Sequence, residues 1–354
     1  MKAGRTLQEL AIELDRQTAA KRDYIVNTGR MGLTGEAESF MLYPEDAQPI
    51  RFDMSGLFER QLGAALGIPA KYYDKMRAEY PALLSKNING WFEHAPSKHT
   101  VRTLDGRARA FLSDRYRRID NYDIAQAVLP VIGEMDTGSS CGRARVESCE
   151  VTENRMYLKV VNPRLTAEVN KGDVVQAGII VSNSEVGLGS VSVMPLVFRL
   201  VCLNGMIVQD YGKRKYHIGR ENEEAWDLYI DETLQADDAA FMLKLADIVR
   251  TAVDEARFSM VVDKLREAAG ARITGHVPDV VELTARQYGM SKDEEAGILQ
   301  HLIAGGDLSL YGLSNAITRA AQDVADYDRA TALEGLGWDI ATMPGDVWRS
   351  VNGG

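Results

Sequence analysis

The stretch from Gly172 to Gly205 constrains the fold more than any other, because two apolar runs flank a short polar segment, SNSEVGLG. The runs are rich in residues typical of buried strands: Val174, Val175, Ile179, Ile180 and Val181, then Val191, Val193, Leu196, Val197, Leu200 and Val201. Gly187 and Gly189 permit positive φ angles in the connection. Between the runs lie Ser182, Asn183, Ser184 and Glu185, whose polar groups need partners if they are buried. The segment predicts two strands joined by a turn that is either a structural network or a binding site.

Composition indicates an ordinary globular protein. The 354 residues are 45% hydrophobic and 26% charged, with 31 glycines and 10 prolines, so neither disorder nor a fibrous repeat is expected. A chain of this length can bury a large core and carry an appended helical unit. The three cysteines, Cys141, Cys149 and Cys202, show no CxxC spacing, which favours a reduced, cytoplasmic setting.

The sequence contains no signal for membrane insertion or secretion. The first residues, MKAGRTLQELAIELDRQ, carry charges throughout and lack the apolar core of a signal peptide. No later segment has the ~18 uninterrupted apolar residues of a membrane-spanning helix. We therefore expect a protein without a membrane partner.

The net charge of −10 conceals separate blocks of opposite sign. The segment 98–118 holds seven basic residues and two acids, and KRKYHIGR at 213–220 adds four basic residues. The segment 221–238 then holds eight acids and no base. Such blocks predict either a cationic face of the kind that binds a phosphate backbone, or solvated faces with local ion pairs.

Three regions are predicted along the chain: 1–100, 101–220 and 221–354. The first is mixed and includes Leu57 to Met76, where Gly67, Ile68 and Pro69 separate two helical stretches. This pair is either a helix-turn-helix that places Lys71, Tyr72, Tyr73 and Lys75 near DNA, or an αα-hairpin that packs a core.

The second and third regions differ in hydrophobic period. RARAFL at 107–112 predicts a strand, residues 124–132 a short helix containing Pro130, and RVESCEVTENRMYLKVVNP a hairpin. From Ala239 to Leu265 apolar residues recur at helical spacing, in one long helix or two in series. Gly270 and Ser291 mark later boundaries, a further helix begins near Leu313, and the tail after Gly337 either docks or frays. The predicted fold class is α+β, with a central antiparallel β-meander and a predominantly helical C-terminal region.

No catalytic or metal-binding constellation is present in the sequence. The five histidines are scattered, and His94 and His99 do not share a helix face. No GxSxG, GxxxxGK[ST] or GxGxxG motif occurs in the right context. We predict no catalytic residue, no metal and no cofactor, and we favour a protein that is not an enzyme. An enzyme that acts on a small molecule is a third possibility, and its only support is that SNSEVGLG could line a pocket with polar groups.

Three segments resemble a known family. AFLSDRYRRIDNYDI, GDVVQAGIIVSNSEVGLGSVSVMPLVFRLVCLNGM and LSNAITRAAQDVADYDRATALEGLG are similar to the phage- and plasmid-encoded family called domain of unknown function 932, over about residues 50 to 340. The resemblance implies a phage or plasmid protein in the cytoplasm of a bacterial host, acting near replication, recombination or host defence. It implies no catalytic residue.

Two functions remain open. The first is non-enzymatic binding of nucleic acid, such as single-strand binding or annealing in recombination or replication by a homo-oligomer, since a meander followed by a long helix looks like the core of Rad52-like annealing proteins. Its predicted nucleic-acid-binding residues are Arg109, Arg115, Tyr116, Arg117, Arg118, Lys213, Arg214, Lys215 and Tyr216. The alternative is a protein-interaction factor that modulates a host enzyme or defence system, in which the arginines pair with Asp114, Asp120, Asp123 and Glu185.

Overall fold

A computed structural model of the chain describes residues 1–45, 47–116, 118–134, 144–208, 231–252 and 255–353. The helices in these residues are α1 Leu7–Ala20, α2 Gly56–Ala65, α3 Ala70–Glu79, α4 Pro81–His94, α5 Asn121–Glu134, α6 Asp231–Thr251, α7 Glu255–Gly270, α8 Val277–Gln287, α9 Lys292–Gly305, α10 Leu310–Ala320, α11 Tyr327–Ala341 and α12 Gly345–Val351. The strands are β1 Arg22–Asn27, β2 Met31–Leu33, β3 Phe40–Leu42, β4 Ile50–Met54, β5 Lys98–Leu104, β6 Arg107–Ser113, β7 Arg145–Val151, β8 Met156–Glu168, β9 Val174–Asn183, β10 Ser192–Arg199 and β11 Asn204–Ile207. The α+β class is confirmed.

The central sheet is the predicted antiparallel meander. Its strand order is β11-β10-β9-β8-β7, so every strand pairs with its neighbour in sequence. Leu158 and Val160 pack with α1, α5 and α6 on one face, whereas Val161 and Ile180 lie in a second cluster with Tyr327 of α11. Because helices cover both faces, the first six residues of β8 and nearly all of β9 are buried without the alternation of a strand that has one solvated face.

The N-terminal half contains a second sheet that the sequence did not predict. Its order is β1-β5-β6-β4-β3-β2, and its neighbours are antiparallel except for β4 and β6, which run parallel. Phe58, Leu84 and Phe92 from α2 and α4 cover one face, and the Phe58 ring lies 4.9 Å from Phe40 and 5.8 Å from Phe111. β5 crosses residue 100, where the sequence placed a boundary between regions.

The segment Leu57 to Met76 forms the predicted pair of helices, α2 and α3. Gly67 takes a positive φ of 68° between them and Pro69 is the residue that caps α3. Tyr73 is 3% exposed within the core, while Tyr72 remains 47% exposed. The pair therefore packs a core, as an αα-hairpin does.

The C-terminal region is helical. α6 and α7 are two helices in series, α7 ends at Gly270, and Ser291 caps α9 in a capping box with Glu294. The helix predicted near Leu313 is two helices, because Asp326 caps a new one at Tyr327. In the tail, Trp338 and Trp348 are buried, so this segment docks on the body. No helix within the described ranges is both long and apolar enough to cross a membrane.

Candidate functional site at the junction of the two sheets

The turn Ser182 to Gly189 is the point at which the two sheets meet. Ser182, Asn183, Ser184 and Glu185 are all at most 4% exposed. Asn183 Nδ2 donates to the Asn121 Oδ1 atom at 2.9 Å, and Ser184 Oγ donates to the Asn154 carbonyl at 2.8 Å. Ser182 Oγ lies 2.8 Å from the Ser192 hydroxyl. These bonds tie β9 to β10, to α5 and to the β7–β8 turn.

Glu185 connects the turn to the N-terminal sheet. Its carboxylate accepts a hydrogen bond from the Arg109 guanidinium of β6 and one at 2.8 Å from the Asn121 backbone N–H. The Nζ of Lys21 lies 3.7 Å away. Because both Glu185 and Arg109 are buried, this ion pair holds the two sheets together in a low-dielectric environment.

A second arginine, Arg102 of β5, completes the junction. It is 0% exposed, and its guanidinium donates to Asp23 at 2.9 Å, Asp120 at 2.7 Å and the Glu185 carbonyl at 2.9 Å. Burial alone would lower the pKa of Arg102, but the two carboxylates outweigh it and the pKa is raised. Burial likewise opposes ionisation of Asp120, yet Arg102 and Lys21 hold the pKa of that carboxyl below its ordinary value. Sequence reasoning missed this role of Arg102, because the polar sequence of β5, KHTVRTL, does not indicate that this arginine is buried.

The predicted nucleic-acid-binding residues occupy different environments. Arg109 is 9% exposed and paired with Glu185, and Tyr116 is half-buried, with its hydroxyl donating to the Ser184 carbonyl at 3.0 Å. Arg115 and Arg118 are exposed, and Arg118 Nη1 lies 3.9 Å from Asp23 Oδ2. The remaining predictions, Arg117, Lys213, Arg214, Lys215 and Tyr216, lie outside the described residues.

Exposed aromatic and basic side chains occur at the end of α4 and at the start of β5. His99 pairs with Ser113, so Lys98 lies beside the loop that carries Arg115. Trp91 in the last turn of α4 is 48% exposed, and its ring centroid lies 5.7 Å from that of His94. Both Lys98 and His94 are exposed. Trp91 and His94 thus present ring faces at the end of α4, four residues before Lys98 begins β5.

Of the two described cysteines, Cys149 is not suited to nucleophilic chemistry. Cys149 and Cys202 are free thiols, and burial raises the pKa of Cys149 to about 11. Cys202 Sγ accepts a hydrogen bond from Arg199 at 3.3 Å. Among the described residues no group of three or more histidine, cysteine or acidic side chains could hold a metal ion.

Comparison with known proteins identifies a family. The family model described as "Domain of unknown function (DUF932)" matches residues 110–297, which is more than half of the chain. This match runs from β6 into α9 and contains the whole meander and the SNSEVGLG turn. No curated protein and no solved structure matches the chain. The chain therefore belongs to the DUF932 family.

Proposed function

We propose that the protein binds single-stranded nucleic acid, without catalysis, along the edge of the N-terminal sheet. The observation that carries the proposal is the exposure of Arg115 and Arg118 on a loop that is anchored at both ends. Guanidinium groups are well matched to phosphate oxygens, and such contacts supply most of the affinity of sequence-independent binding.

The anchoring comes from the sheet junction. Tyr116 donates to Ser184 O at 3.0 Å from within the loop, and the Tyr116 N–H donates to Ser113 O at 3.0 Å. At the other end, Asp120 is bonded to Arg102. A loop fixed in this way loses little conformational entropy when its exposed arginines bind a strand, which favours affinity.

The strand edge supplies a path for several nucleotides. Arg118 lies beside Asp23 at the start of β1, and Lys98 pairs with Asn27 at its end. Four residues of extended chain separate these positions by about 13 Å. Trp91, an exposed ring near the end of α4, offers a stacking surface, and a stacked base contributes about 1–3 kcal/mol.

The wider role we propose is annealing or protection of single strands in recombination or replication. Annealing needs no general acid or base, and weak contacts repeated along a homo-oligomer would add up on one strand. In this proposal the protein is a phage or plasmid product that acts in the cytoplasm of its bacterial host.

Salt-dependent binding of a fluorescein-labelled oligothymidine tests the proposal. The R115E/R118E variant should bind about tenfold more weakly or worse, and the slope of log affinity against log salt should shrink by about 0.7 for each phosphate that the variant leaves unneutralised. The matched control is K171E/R286E, which makes the same change in net charge at exposed positions in the β8–β9 turn and α8. Trp91→Ala should weaken binding without changing the salt slope.

Two results would contradict strand binding at this edge. One is no binding by the native protein even at low salt, and the other is an equal loss of affinity in the control variant. Either result would favour the second candidate, a factor that binds a host protein. One observation supports that candidate. Arg109 pairs with Glu185 and Arg102 pairs with Asp120, and the candidate requires that the arginines of this segment form such structural ion pairs.

A further inference from the structure

The outer face of α7 carries a stripe of residues at helical spacing. Met260, Lys264, Glu267 and Ala271 lie four, three and four residues apart, which places them on one side of the helix and of the residue that follows it. The buried residues of α7, such as Leu265, point elsewhere into the core. Met260 is 54% exposed, and the side chains of Lys264 and Glu267 are 50% and 68% exposed. The stripe therefore faces outward in the single chain.

A cleft of about 460 Å³ opens beside the second half of this stripe. One of its walls is α7 with residue 271, and the other is the end of α11 together with α12. Trp338, Met343 and Trp348 supply apolar groups of the second wall. Met260 lies one helical turn before Lys264, where the cleft begins. The surface thus combines an apolar cleft with a protruding apolar side chain.

The charges of this part of α7 cancel. Residues 260–271 hold two acids and two bases, whereas the whole chain has a net charge of −10. They form two pairs within the helix, Lys264 with Glu267 at 2.7 Å and Arg266 with Asp263 at 3.0 Å. The four side chains are between 49% and 68% exposed, and exposed pairs contribute little to stability, so an exchange of partners costs little. Two copies of this surface can approach each other without the repulsion expected between acidic faces.

The order of the stripe residues is self-complementary about a twofold axis. The midpoint between positions 264 and 267 is also the midpoint between positions 260 and 271. When two α7 helices run antiparallel about that point, Lys264 of each copy lies level with Glu267 of the other, and Met260 lies level with Ala271 at the cleft. A parallel pair in register would instead set Lys264 beside Lys264. The charge pattern therefore fits an antiparallel pair of identical chains better than a ligand of one charge sign.

We propose that Met260 of a second copy occupies the cleft, in a twofold dimer in which two α7 helices pack antiparallel. Methionine is unbranched and flexible, so it can fill an irregular cleft, and its sulfur makes favourable contacts with aromatic rings such as those of Trp338 and Trp348. The contact occurs twice, because each copy inserts Met260 and receives the same residue from the other. Two buried apolar anchors surrounded by ion pairs form the kind of centre that supplies most of the energy of an interface.

The dimer leaves the proposed strand-binding edge open in both copies. Arg266, beside the stripe, donates to the carbonyl of Glu168 at 2.8 Å, so α7 lies at the last residue of β8. The sheet junction lies at the other end of this 13-residue strand, where Met156 pairs with Asn183, about 40 Å away. The dimer does not depend on strand binding. It presents two such edges on one particle, which increases the avidity for a long strand.

Sedimentation velocity of the full chain across the micromolar range tests the dimer. The native protein should shift from monomer to dimer as its concentration rises. Met260→Asp should weaken dimerisation about tenfold or more, because it places a charge in the apolar cleft. The matched control is Leu243→Asp on α6, which introduces the same charge at an exposed apolar position and should leave the dimer unchanged. Circular dichroism should show the native fold in both variants, because both positions are exposed.

A charge exchange tests the pairing of the two helices. The K264E protein presents two acids in the stripe and the E267K protein presents two bases, so each alone should dimerise about tenfold more weakly than the native protein. Mixed in equal amounts, the two proteins should form a heterodimer, because every contact between the copies then joins opposite charges. The K264E/E267K double variant should dimerise like the native protein for the same reason.

Three results would overturn the dimer. They are a native protein that stays monomeric at every concentration, equal dissociation of Met260→Asp and Leu243→Asp, and K264E and E267K proteins that do not combine when mixed. Strand binding is measured separately. The R115E/R118E variant should lose strand binding and keep the dimer, and Met260→Asp should bind a short oligothymidine as the native protein does. Failure of either proposal therefore leaves the other standing.

Discussion

Two of the places where the described part of the molecule buries charge solve the same problem differently. The sheet junction contains two arginines and three carboxylates: Arg102 pairs with Asp23 and Asp120, and Arg109 pairs with Glu185. The second place is a single pair between the central sheet and a helix, Lys159 of β8 with Glu334 of α11, and both side chains are 0% exposed. The cations of the junction are arginines, which stay charged. The cation of the pair is Lys159, whose charged partner is Glu334.

The difference follows from the two cations. Lys159 Nζ donates to Glu334 at 2.7 Å and Thr331 at 3.0 Å, and lies 4.5 Å from the centre of the Tyr327 ring. Burial lowers the pKa of Lys159, so this ammonium can release its proton when its partner is lost. A guanidinium cannot do so in a protein. The junction arginines therefore need their carboxylate partners to remain stably buried. Lys159 can instead become neutral if Glu334 is lost.

The largest effect is expected at the junction. Glu185→Ala leaves the Arg109 charge buried, and removing one member of a buried ion pair costs about 3–5 kcal/mol. We expect the upper end, about 5 kcal/mol in the free energy of unfolding, because Arg109 stays charged. Urea unfolding at pH 7 and pH 9 should give the same loss. The control Glu153→Ala removes an exposed partner of Arg107 and should cost less than about 1 kcal/mol.

A smaller and pH-dependent effect is expected at the pair. Glu334→Ala should cost about 3 kcal/mol at pH 7, the lower end of the same range, since Lys159 can lose its proton. The unfolded state then binds more protons than the folded state, so stability rises as pH approaches the unfolded lysine pKa of about 10.4. Urea unfolding should therefore show that Glu334→Ala loses less unfolding free energy, relative to the native protein, at pH 9 than at pH 7.

The control for the pair removes both charges. The K159M/E334L variant replaces it with apolar side chains of similar volume, an exchange that is often neutral or stabilising. Stability close to that of the native protein is the expected result. Two results would contradict the idea that Lys159 loses its proton where an arginine would stay charged. One is a double variant as unstable as Glu334→Ala, and the other is an equal loss of unfolding free energy in Glu334→Ala at pH 7 and pH 9.

The sequence predicted the central sheet well because its strands are long and joined by short turns. Each strand from β7 to β11 pairs with its neighbours in sequence, so the apolar runs and the turn residues between them are enough to predict the order of the strands. The positive φ angles expected at Gly187 and Gly189 are confirmed, at 78° and 137°. A Cβ on Gly187 would lie 2.5 Å from Leu112 Cδ2, which shows how closely the turn approaches the N-terminal sheet.

The N-terminal sheet and the junction could not be predicted in the same way. β2 and β3 have three residues each, too few to show a period, and the parallel pairing of β4 with β6 joins residues 54 positions apart, such as Asp53 and Arg107. The partners of Arg102 lie 79 and 18 residues away, and no local pattern identifies them. By contrast, the break between α10 and α11 had a visible signal, since Asp326 is a favourable N-cap residue.

The smallest effect expected within the junction is at Asp120, and it has a distinct pH dependence. The pKa of Asp120 is lowered in the folded protein, so its contribution is present above the unfolded aspartate pKa of about 3.9 and is lost as pH falls through the folded value. Asp120→Asn should therefore cost about 2 kcal/mol at pH 7, the scale of a hydrogen bond to a charged group, and progressively less below about pH 4. Asp105→Asn, which alters an exposed ion pair with Arg16, should cost under about 1 kcal/mol throughout. A constant gap between native protein and Asp120→Asn from pH 7 to pH 3 would mean that its charge does not stabilise the junction, leaving Asp23 and Glu185 as the anions that hold the two arginines.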